Sequence, residues 1–235
     1  MGHDPELEYQ VIQRAYEISR GFRHAQQKAR GEVNYSALST YSRLSISNNL
    51  AIAAMCSGLN YSSSQSKILI TDSDRKLATV IAHFIQSIEA TEICITNGMY
   101  AAAATLIRRE MEAVDACRGL LEGTQKEGKT PQIKAMKLFG RAYGDFSGLA
   151  HNSGFTLMRH LSGPEVASVD TIENPDFDRA ALGIHIYCVL GISDALRFSH
   201  DQKHENHWIN QKLEFHHRSL EILIEQGILS PTGDS

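Results

Sequence analysis

The sequence predicts an all-α protein built as an antiparallel helical bundle, and three observations predict it. Proline is scarce, five in 235 residues, while Ala, Leu, Glu and Gln, residues at home in helices, are plentiful. Leu77, Ile81, Phe84, Ile88, Thr91 and Ile95 follow each other at steps of four and three, one face of a long helix. The stretch from Ala180 to Phe198 is almost entirely apolar, as a helix buried on all sides would be. At most one incidental strand pair is expected. With 42% hydrophobic and 21% charged residues the composition is that of an ordinary globular protein long enough for a sizeable core.

Taken in order, Pro5, Glu6 and Glu8 open a first helix over about residues 5–30, with acidic residues at its positive end and Gly31 closing it. Its basic run, Arg20, Arg23, His24, Lys28 and Arg30, reads as a solvated helix end. A second helix is read over 36–59, and the Gly- and Ser-rich stretch Gly58–Ser66 as a flexible loop. Residues 1–60 are thus expected to be an N-terminal helical extension packed on a bundle domain over 72–228. Within the bundle, Asp72-Ser73-Asp74 signals an N-cap for a helix over 73–97, which Asn97-Gly98 breaks. A helix over 99–122 carries Tyr100, Ala103, Ile107, Met111, Val114 and Leu121 on its apolar face. Pro131 starts another that runs to His151, and Phe155–Leu161 adds a short helical piece. An irregular connection over 163–177 leads to the apolar helix, 177–200, where two glycines, His185, Ser193 and Asp194 exclude a membrane span. A last helix over 207–227 uses Leu213, Leu220, Leu223 and Ile224, and residues 229–235 form a disordered tail. Phe84, Ile107, Met111, Leu149, Ile184, Val189 and Ile192 are the expected core.

Charge and cysteine usage narrow the function classes. A formal net charge of −4 argues against a large nucleic-acid-binding surface. Cys56, Cys94, Cys117 and Cys188 form no CxxC pair and lie in apolar runs, so they read as reduced core thiols of a cytoplasmic protein. The N-terminus lacks the basic and apolar regions of a signal peptide. Phosphate-binding glycine loops and the HExxH metal motif are absent from the sequence, and no cofactor is expected. His200, His204 and His207 have a spacing that can hold zinc on a helix, but no acidic or cysteine pattern completes the set, so no metal site is assigned. His83, beside an apolar stripe, reads as a border residue.

Two short stripes carry the candidate chemistry. Arg108 and Glu112 lie one turn apart beside the apolar face of their helix, with Asp115 a further turn on. Tyr143, Ser147 and His151 repeat every four residues, and each step of four drifts only about 40° around a helix, so they share one face. The polar loop after Gly123 allows an antiparallel return that brings the stripes together. The expected contact is Arg108 and Glu112 against Tyr143, Ser147 or His151, either as a network fixing helix register or as the lining of a ligand site. An exposed ion pair within one helix is the plain alternative.

The form Leu106-x-Arg108-x-x-x-Glu112 followed by Tyr143-x-x-x-Ser147-x-x-x-His151 resembles bacterial all-α proteins of unknown function whose helical domain is similar to the HEPN class (higher eukaryote and prokaryote nucleotide-binding). The resemblance covers residues 100–151, and 73–200 in helix pattern only. It implies a bundle of four or five helices, often dimeric, sometimes tied to bacterial toxin or defence systems. Catalytic members carry Arg-x(4–6)-His, in which Arg contacts phosphate and His aids metal-free RNA cleavage. Arg179 to His185 and Arg197 to His204 have that form, but so many arginines and histidines give about two such matches by chance. The expectation is therefore a helical interaction or ligand-binding protein, partnered by an unidentified small molecule, protein or second copy. A metal-independent ribonuclease is the alternative.

Overall fold

A computed structural model of the chain describes residues 20, 24, 27, 28, 30, 31, 41–64, 71–125, 140–151, 153–162, 174–196 and 207–230. Most of the helix read over 5–30 lies outside these residues, as do the start of the helix read from Pro131, most of the 163–177 connection, and the tail from Pro231. Among the described residues the chain forms helices and no strand: α1 (Ser42–Ser64), α2 (Asp72–Thr96), α3 (Tyr100–Leu121), α4 (Gly140–Ala150), α5 (Phe155–Ser162), α6 (Pro175–Ala195) and α7 (His207–Glu225).

Local chemistry starts and stops these helices. The N-cap of α2 is Thr71, one residue before the acidic cluster, because a capping box needs its partner at the third helical position. The Thr71 hydroxyl accepts from Asp74 N at 3.1 Å, and Thr71 N donates to Asp74 Oδ2 at 2.8 Å. The Thr71 hydroxyl, donating to Asp74 Oδ2 at 2.6 Å, and then Thr71 N hold the Asp74 carboxyl below its usual range. Gly98, at φ 66°, makes the left-handed turn that ends α2 and returns the chain as α3. Asn174 caps α6 by accepting from Phe177 N at 3.0 Å, with Pro175 at the first position of the helix.

One expected loop is helix instead. Residues Gly58 to Ser64 continue α1. The glycine that suggested a break is a packing residue: a Cβ there would stand 3.3 Å from the side chain of Leu196, so its bare backbone lets α1 meet the end of α6. Tyr61, buried, anchors the extra turn.

Helix α6 is the hub, packed against α1, α2 and α3, while α1 also lies along α7 and α4 along α3. Helix directions follow from the contacts. Ser47 meets Ser219 and Arg43 meets Glu225, so α1 and α7 are antiparallel. Thr91 meets Glu110 and Ser73 meets Leu120, so α2 and α3 are antiparallel as well. In contrast, Tyr100 meets Asp178 and Glu110 meets His185, which sets α3 parallel to α6. The bundle is therefore of mixed direction, because α6 lies beside helices that are not its neighbours in sequence.

All seven expected core residues are buried, Ile184 at 2% exposure and Val189 at 0%. Leu44, Ala51 and Met55 of α1 belong to the same core as α2, α3 and α6. Three expectations fail at the edges. Cys56 is exposed, whereas Cys94, Cys117 and Cys188 are buried, and all four are free thiols. Leu213 and Ile224 are exposed because α7 turns Ser219, Ile222 and Leu223 inward instead. There the Ser219 and Ser47 hydroxyls, 2.9 Å apart, join α7 to α1 through small side chains. Leu121, in the last turn of α3, is exposed too.

The α3–α6 contact depends on Gly191, where a Cβ would lie 2.8 Å from Val114 Cγ1. A β-branched side chain on a helix has one favoured rotamer and cannot swing away. Gly191→Ala should therefore destabilise the protein by a net of about 1 kcal/mol, overpacking outweighing the gain in helix propensity. Adding Val114→Ala should recover stability, read as the midpoint of urea unfolding in the single and double variants.

Candidate functional site

The two polar stripes meet. On α3 the Arg108 Nε donates to Glu112 Oε1 at 3.0 Å, one helical turn away. From α4 the Tyr143 hydroxyl donates to the same Glu112 oxygen, also at 3.0 Å. Just past the end of α4, His151 Nε2 lies 2.6 Å from Arg108 Nη1. A guanidinium can only donate, so the ring accepts at Nε2 and carries its proton on Nδ1. The guanidinium carbon also stands 5.7 Å from the centre of the Tyr143 ring, within cation–π range.

Apolar anchors put α4 in place. Phe146 and Leu149 are buried, and Phe146 meets the Phe177 ring edge-on at 5.7 Å between centroids. Tyr143 and His151 then fall on the side of α4 that faces α3. The close of α4 is fixed where Ser153 N and Gly154 N both donate to Gly148 O, at 2.8 and 3.0 Å. Gly154 needs its bare backbone here, since a Cβ on it would approach Gly148 C to 3.2 Å. Ser147, though on the same stripe, makes no side-chain hydrogen bond to the cluster among the described residues. Its carbonyl accepts from His151 N at 3.0 Å and so helps hold that residue's backbone.

The cluster is half in water. Arg108 and Glu112 are each 21% exposed, and His151 is an exposed residue. That accessibility separates it from a second polar cluster that the stripes do not announce. Glu110, two residues from both Arg108 and Glu112, points the opposite way into the core. Its Oε1 accepts from the Thr91 hydroxyl at 2.7 Å and its Oε2 lies 2.8 Å from His185 Nδ1. On the other side of the ring, His185 Nε2 is 3.7 Å from Glu92 Oε1, too long for a hydrogen bond but close enough for charge attraction. Asn48 of α1 donates to that Glu92 oxygen at 2.7 Å. Glu110 interrupts the Ile107–Met111–Val114 stripe and His185 the apolar run of α6. Polar residues inside otherwise apolar stripes were the available signal for this cluster.

The other candidates are dispersed. Arg179 and His185 are six residues apart, about 240° around the helix. Arg179 is exposed and donates to Gln226 O, while His185 is fully buried, so they form no common site. Arg197, His200 and His204 lie outside the described residues, and His207 is exposed at the start of α7. His83 is exposed. Among the described residues no group of three His, Cys, Asp or Glu side chains is arranged to hold a metal ion. A separate cleft of about 420 Å³ opens between α3, α6 and α7, lined by Val114, Arg118, Tyr187, Asp194, His216 and others.

Stability variants should separate the members of the half-exposed cluster. Glu112→Ala leaves both Arg108 and the Tyr143 hydroxyl without their shared acceptor and should cost about 1–2 kcal/mol. His151→Ala should change stability by no more than about 0.5 kcal/mol, because water and Glu112 still serve Arg108. Urea unfolding of the two variants beside the parent chain checks the order.

Compared with protein-family models, with curated proteins and with solved structures, the chain gives no match.

Proposed function

We propose that this chain is a helical binding protein without catalytic activity, and that the Arg108–Glu112–Tyr143–His151 cluster is its contact with a ligand. The observation that carries the reading is the Arg108–His151 pair, hydrogen-bonded to each other yet accessible to water. Glu112 and Tyr143 hold the guanidinium in place from two helices, and the donors not used on Glu112 and His151 are available to an incoming oxyanion. The group that suits such a fork is a phosphate or carboxylate, as on a nucleotide. The sequence resemblance to HEPN-class helical domains supports the same direction. With it we propose a cytoplasmic homodimer that works beside a bacterial toxin or defence system; the free thiols fit a reducing compartment.

One observation favours the second reading, a metal-independent ribonuclease. The same Arg–His pair places a phosphate-binding group beside a neutral imidazole, the two functions that metal-free phosphodiester cleavage needs. Against it, the carboxylate that meets the pair among the described residues, Glu112, is committed to Arg108 and Tyr143.

Adenosine monophosphate and a generic RNA serve as probes. The nucleotide should raise the melting temperature of the parent chain and not that of Arg108→Gln, and the RNA should remain intact with or without EDTA. Failure of the nucleotide to stabilise the parent chain would sink the binding reading. RNA cleavage that persists in EDTA and is lost in His151→Ala would establish the second.

A further inference from the structure

We propose that Glu92, His185 and Glu110 form a buried proton lock, in which a single proton held on an imidazole between two carboxylates fastens the junction of α1, α2, α3 and α6. The reasons are geometric. The His185 ring has no exposed surface, and its two nitrogens face carboxylates from different helices, Glu110 of α3 at 2.8 Å and Glu92 of α2 at 3.7 Å. A neutral imidazole has one donor, and beside two carboxylates its second nitrogen would place a lone pair against negative charge. A doubly protonated ring offers a donor to each side. Nε2 makes no hydrogen bond as the side chains stand, and Glu92 is the acceptor placed to receive it.

The lock reaches every helix of the junction. Thr91 on α2 donates to Glu110, Asn48 on α1 donates to Glu92, and the residue before Asn48, Ser47, bonds to Ser219 on α7. The charged groups that act on the ring among the described residues are Glu110 from α3 and Glu92 from α2; Thr91 and Asn48 bond to those carboxylates, and on α6 the buried Cys188 thiol is kept protonated by burial and then by Glu110. Burial by itself would drive the proton off His185. The Glu110 and Glu92 carboxylates together outweigh that effect, and the ring's pKa is pushed up to about 9.

The direction of the pH effect follows. A pKa raised above the ordinary 6.5 means that folding takes up the proton more tightly than the open chain does. The stability so contributed is complete below about pH 6.5 and is lost as the pH rises through about 9. Glu92, whose carboxyl is held low first by His185, works at the acid end: its contribution is present above the ordinary 4.5 and falls away below it. His216, lowered by burial, acts in the opposite sense to His185, and its change falls below 6.5, outside the alkaline window.

Two measurements on the full chain test the lock. In nitrogen-15 NMR of the histidine rings, one ring should carry protons on both nitrogens at pH 7.5, and its signal should be absent from His185→Gln. In urea unfolding of the parent chain between pH 6.5 and 8, below the range in which the buried Cys94, Cys117 and Cys188 thiols would add a fall of their own, the folding constant should fall with rising pH, by at most about tenfold per unit for one proton. Glu92 is 31% exposed on its side chain, so Glu92→Gln removes one carboxylate without opening a core cavity, and it should move this fall to lower pH. The parent-chain measurements stand even where His185→Gln does not fold. No doubly protonated ring at pH 7.5, a folding constant that stays level across the window, or an unmoved profile in Glu92→Gln would each overturn the proposal.

Discussion

The contact on which the packing of this chain depends is the one between His185 and Glu110, both fully buried in the core. Removing either group from water alone carries a penalty of several kcal/mol, because a buried charge or unpaired polar atom loses its hydration. Together they satisfy one another across 2.8 Å, and only one arrangement of α3 and α6 permits that. Apolar contacts tolerate sliding and repacking, whereas a hydrogen-bonded pair in the core does not. The pair therefore sets the register between two parallel helices that are distant in sequence. The close approach of Gly191 to Val114 lies one to two turns further along the same contact.

The half-exposed cluster inherits its geometry from that register. Arg108 and Glu112 flank Glu110 on α3, and successive side chains two apart on a helix point about 200° from one another. Fixing Glu110 toward α6 leaves Arg108 and Glu112 no direction but outward, toward α4. There, Phe146 rests on Phe177, the first turn of α6, so α4 is located by the same hub helix from its other end. Structure and site are thus divided between two faces of one helix: the inner carboxylate is committed to packing and the outer ion pair remains within reach of solvent.

The sequence made much of this legible, and what it hid has a physical cause. Among the described residues helical periodicity located the helices, apart from the last turns of α1, and the seven expected core residues. Leu121, Leu213 and Ile224 are nevertheless exposed, because spacing gives a face and not what packs on it. Repeats of four exposed the Arg108–Glu112 and Tyr143–His151 stripes, and the antiparallel return joined them. Ser147 shares that spacing but not the contact, because spacing gives a face and not the reach of a short side chain. Gly58 looked like a break because a glycine's role depends on what approaches it, here Leu196 from a helix far along the chain. Glu110 and His185 were visible as polar intrusions in apolar stripes, yet their pairing joins residues 75 apart in sequence, which no local period encodes. The same limit applies to direction: neighbouring helices return antiparallel over short turns, but nothing local says that α6 runs parallel to α3.

Whether the outer cluster serves structure or binding turns on exposure. A polar network retained for register is most effective when water cannot compete, as at Glu110 and His185. At the outer cluster water does compete, and an ion pair there contributes at most about 1 kcal/mol. Two helices are nevertheless held so that a tyrosine hydroxyl, a carboxylate, a guanidinium and an imidazole converge within hydrogen-bonding distance. The inner pair already fixes how α3 sits on α6, and Phe146 and Leu149 already bury the apolar face of α4. The outer cluster is therefore not needed to specify the fold, and its ordered, accessible donors are what the proposed ligand contact rests on.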